Sequence, residues 1–378
     1  MSQQSKREII RRLHPRYLKA SRQEKTKILD EFVALTNRHR KHAIRVLGKG
    51  VPEHPRERRG RKRKYKGDTV EALRVIWSAA GKICGKRLHP FIPNMIDQLE
   101  RHNEILLNED TRVQLLEISP ATIDRLLKSF KTGRGKGLST TKPGTLLKSS
   151  IAVRTSGEWD EDEPGFMEID LVAHCGRTTA GAYLNTLTAT DIATGWTECV
   201  PLIHRSQLAV KAALDCLRER LPFDLLGIDS DNDAVFINEL LYKYCLEDEI
   251  LFTRCRPYKK NDQAHVEQKN WSIVRRTVGY QRFESEEALQ TLSAVYDDLR
   301  LFTNFFQPTF KLESKERIGA KVKKKYGIPQ TPYQRLDSYG VMTGRGKMVL
   351  HQQYLQTNPV VIQKQIDENL RKLWNLKL

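Results

Sequence analysis

Apolar residues follow two different rhythms along this chain of 378 residues. Up to about residue 130 they recur every three to four positions, the spacing of one helix face. The first such stretch predicts a helix over 7–19, with the His14-Pro15 step as its weak point. Ser21 and Glu24 then have capping-box spacing. They open a helix carrying Ile28, Leu29, Phe32, Val33 and Leu35, and a break at Thr36-Asn37 separates it from a helix carrying Ala43, Ile44, Val46 and Leu47. A second helical block spans 69–131. Within it one helix ends near Ile118, Ser119 caps the next, and Pro120 takes the first position, where no N–H is needed; Ile123, Leu126 and Leu127 form the buried stripe. Beyond 165 the rhythm shortens. Strand-like runs at 166–173, 180–189, 196–203, 223–228 and 250–253 alternate with helical patterns at 206–220, 236–246 and 262–278. A long apolar stripe over 286–305 predicts a further helix suited to core or subunit packing, and 361–376 a tail helix that would pack on a partner subunit.

Between these blocks periodicity disappears. Residues 52–66 are almost free of apolar side chains and cannot pack a core; 132–164 is Gly- and Lys-rich, then acidic. The resulting division is 1–50 helix-turn-helix, 51–67 basic linker, 68–131 second helical or helix-turn-helix block, 132–164 linker, 165–306 α/β core and 307–378 basic C-terminal segment. No apolar run approaches a membrane span and no signal-peptide core is visible. The six cysteines are scattered without a C-x-x-C pair, which fits a reducing cytoplasm better than a disulfide scaffold or structural zinc.

Charge sharpens the picture. The net +19 is unevenly spread: 35 Lys and Arg against 15 Asp and Glu in residues 1–150, 16 against 26 in 151–300, and 14 against 5 in 301–378. Basic flanks suit a polyanion, and an acidic centre suits cations. In the first block Arg38, Arg40, Lys41 and Arg45 face outward, as the reading helix of a helix-turn-helix or as the solvated side of a basic hairpin. Arg59, Arg61 and Arg63 in the linker fit either a minor-groove arm or an electrostatic tether. Thr122, Arg125 and Lys128 are available to a groove if the second block is a DNA reader rather than a structural hairpin. Lys323, Lys324 and Lys325, with Tyr326 and Tyr333 interleaved, suit backbone contact.

The acidic centre carries the candidate chemistry. Asp170 lies in the run Glu-Ile-Asp-Leu-Val, Asp231 in Asp-Ser-Asp-Asn-Asp-Ala-Val-Phe-Ile-Asn, and Glu267 in Asn-Asp-Gln-Ala-His-Val-Glu-Gln-Lys-Asn, with 35 residues between the last two. Three carboxylates from separate segments are what a pair of Mg²⁺ ions, with Mn²⁺ as substitute, needs for hard oxygen ligation while leaving room for a phosphodiester. Asp229 rivals Asp231, since both lie at the end of the fourth strand-like run. Lys259, Lys260, Lys269 and Arg275 flank Glu267 as candidate phosphate contacts, or as ordinary solvated cations.

Three strands, helix, strand, helix, strand, helix is the order of the ribonuclease-H-like α/β fold. With the three acidic motifs, the stretch 160–305 resembles the integrase-core DDE recombinases, in particular bacterial insertion-sequence transposases. Asp233 stands where that family has Gly, and Gln268 where Arg or Lys often follows the Glu. The resemblance implies a multidomain protein with N-terminal all-α helix-turn-helix modules, a ribonuclease-H-like core and a basic C-terminal segment. It implies Asp170, Asp231 and Glu267 as metal ligands, cleavage at transposon ends, and transfer of the exposed 3′-hydroxyl into target DNA. Its partners would be double-stranded DNA, both terminal inverted repeats and target, and further copies of the chain in a dimer or larger multimer on a bacterial nucleoid. A DNA-binding regulator with an inert core, and a nuclease of RNA·DNA hybrids, are the competing expectations.

Overall fold

The computed structural model describes residues 3–51, 64–130, 152–153, 163–256, 263–318 and 321–378. The chain divides into two compact units, Met1–Lys64 and Tyr65–Leu378. The expected boundaries near 131–164 and 306 therefore do not separate compact units.

The first unit contains three helices, Gln3–Lys19, Arg22–Thr36 and Arg40–Lys49. Ser21 and Glu24 form the capping box read from the sequence, and Asn37, with a left-handed φ of 50°, ends the second helix. Asn tolerates that conformation better than other residues with a Cβ. The first helix runs unbroken through Pro15. Ile10, Ile28, Leu29, Phe32, Ala43 and Leu47 form the core of this unit, while Leu35 and Ile44 remain exposed.

The second unit is built on a six-stranded mixed sheet. Its strands are β1 (Ala152–Val153), β2 (Phe166–Ala173), β3 (Asn185–Asp191), β4 (Thr197–Leu202), β5 (Gly227–Ser230) and β6 (Leu251–Arg254), in the order β1-β6-β5-β2-β3-β4. The β2–β3 and β3–β4 pairs are antiparallel; β2–β5, β5–β6 and β1–β6 are parallel. Helices Gln207–Arg220 and Glu239–Glu247 connect β4 to β5 and β5 to β6. At the start of β2, Gly165 has φ +124°, and a Cβ there would stand 2.7 Å from the Asp224 carbonyl oxygen. Only glycine accommodates both constraints.

Alternation along the strands sorts the side chains into two faces. Met167, Ile169, Leu187, Ala189, Ile228 and Phe252 pack against the two crossover helices. The opposite face carries Glu168, Asp170 and Val172 of β2, one residue out of phase. Val172, Trp196 and Cys199 join a larger apolar core with the helix Glu286–Phe306, the helices of 68–127 and the C-terminal helix Pro359–Asn375. The tail helix expected to pack on a partner subunit thus buries Ile362, Ile366, Leu370 and Leu373 within its own chain. Tyr333, expected at DNA, is likewise internal, with its ring 4.9 Å from that of Tyr354 and 5.3 Å from Phe305. A two-stranded antiparallel ribbon, β7 (Leu312–Ile318) with β8 (Lys321–Tyr326), stands in the basic C-terminal segment.

Candidate active site

The strand register places the acids. Glu168 pairs with Asp229 and Ile169 with Ser230 across β2 and β5. One residue further along each chain come Asp170 and Asp231, both half-buried. Glu267 lies on the helical segment that crosses this face, Ala264–Lys269 continued by a π-type stretch Asn270–Arg275 and by Arg276–Val278.

Among the described residues, at least four hydrogen bonds tie that segment and the preceding Gln263 to β2. Gln263 Nε2 donates to the Ile169 carbonyl at 3.4 Å, and the Val266 N–H to Glu168 Oε2 at 2.7 Å. Asn270 Nδ2 donates to Asp170 Oδ2 at 2.6 Å, and an Arg275 guanidinium N–H to the Ala173 carbonyl at 2.9 Å. Single π-type turns within helices are frequent at functional sites.

The charges act on one another. Burial pushes the Asp170 carboxyl up to about 7, with the charges of Asp231 and Glu267 adding to the rise; the Leu171 N–H and Asn270 oppose it. Asp231 is pushed up to about 6, by burial first and by Asp233, against the Asp233 N–H and Arg205. Asp233 forms an ion pair with Arg205, and its Oδ1 accepts the Val235 N–H at 3.1 Å. Its backbone is outside the positive-φ region, so this turn does not require glycine. Asn232 bridges two partners at the end of β6, donating to Cys255 O at 2.8 Å and accepting from the Arg254 guanidinium at 2.9 Å.

Asp229 is a different kind of group. It is 2 % exposed, two residues before Asp231 along the chain, and its Oδ1 accepts the Thr253 hydroxyl at 2.6 Å. Its register partner Glu168 is 1 % exposed and held well above the ordinary carboxylate range, by burial first and by Asp229 and Glu267 among its neighbours. His174 is fully buried, bonded to the Thr186 hydroxyl at 2.7 Å, and lowered by burial to about 3.

The chemistry of Asp170, Asp231 and Glu267 suits a divalent cation: hard oxygen donors from three segments, two of which burial and like charge hold partly protonated. Among the described residues, no group of three or more His, Cys, Asp or Glu side chains is already set to hold an ion. The donor chemistry fits; a closed ligand cage is not preformed.

The candidate DNA contacts divide into several groups. Lys41, Arg45, Arg125, Lys128, Lys323, Lys324 and Lys325 are exposed. Arg40 pairs with Asp30, Arg38 contacts His42, and Thr122 is engaged by Ser119 and Arg125. Arg59, Arg61, Arg63, Lys259 and Lys260 lie outside the described residues. Lys269 corrects its expectation: it is buried, its Nζ donates to the Gly195 carbonyl at 3.1 Å, and burial lowers it to about 7. Arg275 is similarly turned inward, onto Ala173 and the Tyr280 ring. The outward, exposed aromatic on this segment is Trp271.

Glu168 and Asn270 are site residues that the motifs do not single out. Each has a sequence signal: Glu168 shares the face of Asp170 two residues away on a strand, and Asn270 follows Glu267 by one helical turn.

The molecule is thus a helical N-terminal unit and a mixed α/β unit with an acidic site where the middle of β2 lies beside the carboxyl end of β5. The uncharacterized protein y4rM of Sinorhizobium fredii is 45 % identical over 336 residues, which cover 89 % of this chain and 96 % of that one; the chain belongs to the same family as y4rM. No protein-family profile matches it. Among solved structures, the catalytic core domain of BIV integrase aligns at a TM-score of 0.29 and 17 % identity, over 46 % of this chain and 95 % of that chain.

Proposed function

We propose that this protein is a DNA transposase of the DDE type, using Asp170, Asp231 and Glu267 to ligate divalent cations at a phosphodiester. The observation that carries the reading is the pairing of β2 with β5, which puts Asp170 and Asp231 at neighbouring strand positions, and it is supported by the charge of Glu267 adding to the rise at Asp170. The strand order β4-β3-β2-β5-β6 with its crossover helices supports a ribonuclease-H-like core. The deep burial of Asp229 favours Asp231 as the second acid.

Paired Mg²⁺ or Mn²⁺ ions would supply Lewis acidity to the attacking and leaving oxygens of the phosphodiester. Asn270 fixes the Asp170 carboxylate, and the ion pair of Arg205 with Asp233 offsets part of the charge that Asp233 places beside Asp231. Exposed cations of the flanks, Lys41, Arg45, Arg125, Lys128 and Lys323 to Lys325, are the candidates to hold DNA, and the partners are the element's ends, target DNA and further copies of the chain. Because the acids do not stand as a closed cage, a DNA-binding regulator with an inert core is the second reading.

The test is cleavage of duplexes carrying the genomic sequence that flanks the gene. Asp231→Asn is expected to lower strand cleavage by at least about 1,000-fold, as loss of a group at the reacting centre does. Its affinity for the same duplex should change by less than about twofold, because phosphate contacts elsewhere dominate binding. Full cleavage by Asp231→Asn with loss in Asp229→Asn would mean that Asp229 is the second acid. Binding without cleavage by the wild-type protein in either metal would leave the regulator.

A further inference from the structure

We propose that Glu168 is a positioning residue, which holds the Glu267 helix at the height on the sheet that its reaction requires by accepting the Val266 N–H. The inference rests on the transposase reading for its catalytic consequence and on geometry alone for the contact itself.

A helix leaves its first-turn N–H groups without intrahelical partners, and a side chain just before the helix ordinarily takes one of them. Here, among the described residues, no side chain just before the helix does so. Gln263, the residue preceding Ala264, makes no capping bond to the helix; its amide is used on the Ile169 carbonyl instead. The acceptor comes from 98 residues away, where Glu168 Oε2 meets the Val266 N–H at 2.7 Å in a site closed to solvent. Glu168 and Asp170 share one face of β2, and Val266 and Glu267 are adjacent. The Glu168 carboxyl therefore joins the residue two before one acid to the residue immediately before another, and the neighbouring His265 N–H also bears on it.

A buried carboxyl on a sheet face is unfavourable to stability unless its oxygens are satisfied, so its presence beneath the site calls for partners, and the first-turn N–H groups of Val266, at 2.7 Å, and of His265 supply them. The other three bonds act elsewhere: Asn270 and Arg275 one and two turns later, and Gln263 before the helix starts. Glu168 alone among these four bonds acts on a main-chain N–H of the first turn, next to Glu267.

The experiment compares Glu168→Leu, which removes the acceptor, with Glu168→Gln, which keeps an oxygen for Val266 and turns a donor toward Asp229. Amide hydrogen exchange of residues 264–269 is measured in the full-length, metal-free protein, and kcat and KM for DNA strand cleavage are measured with Mg²⁺. Exchange at Val266 is expected to rise at least about tenfold in Glu168→Leu and to stay within about threefold of wild type in Glu168→Gln, since only the former leaves the N–H without its acceptor. The Leu variant is expected to lose about 100-fold in kcat with KM little changed, the scale of an approximately 1 Å misplacement, and Gln is expected to restore most of it. Equal losses in both variants, or unchanged exchange in Glu168→Leu, would overturn the proposal. If wild-type protein cleaves no DNA, the transposase reading fails while the exchange comparison still decides whether Glu168 holds the helix.

Discussion

Asp170, bonded to the Glu267 segment through Asn270, and Lys269, carried on that segment, tilt the pH dependence of stability in opposite directions. Asp170, raised to about 7, keeps its proton in the folded protein where the unfolded chain has lost it, so stability falls as pH rises from about 4 to 7. Lys269, lowered to about 7, sheds its proton in the folded protein while the unfolded chain keeps it up to about 10.5, so stability rises over that window. Together they favour a minimum near neutrality in metal-free protein. Chemical denaturation across pH should show Asp170→Asn flattening the acid limb and gaining roughly 1–3 kcal/mol at pH 8. Lys269→Met should flatten the alkaline limb. A destabilised Asp170→Asn at pH 8 would mean that the site carries no electrostatic strain.

At the scale of elements, the ribbon β7–β8 and the turn between β3 and β4 have distinct roles. The ribbon exposes Lys323, Lys324 and Lys325, with Lys325 near Glu313. If these lysines meet phosphates, Lys323→Ala, Lys324→Ala and Lys325→Ala combined should reduce the slope of log K against log salt by up to about 0.9 for each phosphate no longer neutralised. An unchanged slope would remove the ribbon from the DNA surface. The turn after β3 offers three successive carbonyls to three cations: Ala193 to Lys311, Thr194 to Arg335 and Gly195 to Lys269. Lys269 was expected at DNA and is held by this turn instead. Periodicity reports that a lysine lies on a helix but not that a distant turn has aimed a carbonyl at it. The order of strands and crossover helices was legible because their apolar runs are bounded by turns: β2 occupies the expected 166–173, and the helix Glu286–Phe306 extends its stripe by one residue, whereas the strands expected at 180–189 and 223–228 lie later, at Asn185–Asp191 and Gly227–Ser230. The ribbon was not, since polar side chains fill both of its faces and no alternation survives. The acids stand out because they sit in distinctive motifs, whereas Glu168, two residues from Asp170, reads in sequence as an ordinary polar position in a strand.

For the whole molecule, the separation into two units differs from a string of six segments. The helices of 68–127 share one apolar core with the helix Glu286–Phe306 and the C-terminal helix, so the second helical block is an integral layer of the α/β unit. Leu373 is fully buried in that layer, and Leu373→Ala should lower the unfolding free energy of the second unit by about 2–5 kcal/mol. Chemical denaturation of the variant checks this, and an unchanged midpoint would mean that Leu373 does not contribute to that core.

During synthesis this layering imposes an order of events. Domains close as their last contributing segment leaves the ribosome, and the segment that completes the second unit is Pro359–Asn375. The three-helix unit at the front can mature while the remainder is still nascent, whereas the acids wait on a sheet whose outer cover has not been made. A ribosome-bound chain stopped at residue 358 should resist protease within 3–51 and be cut readily beyond 64.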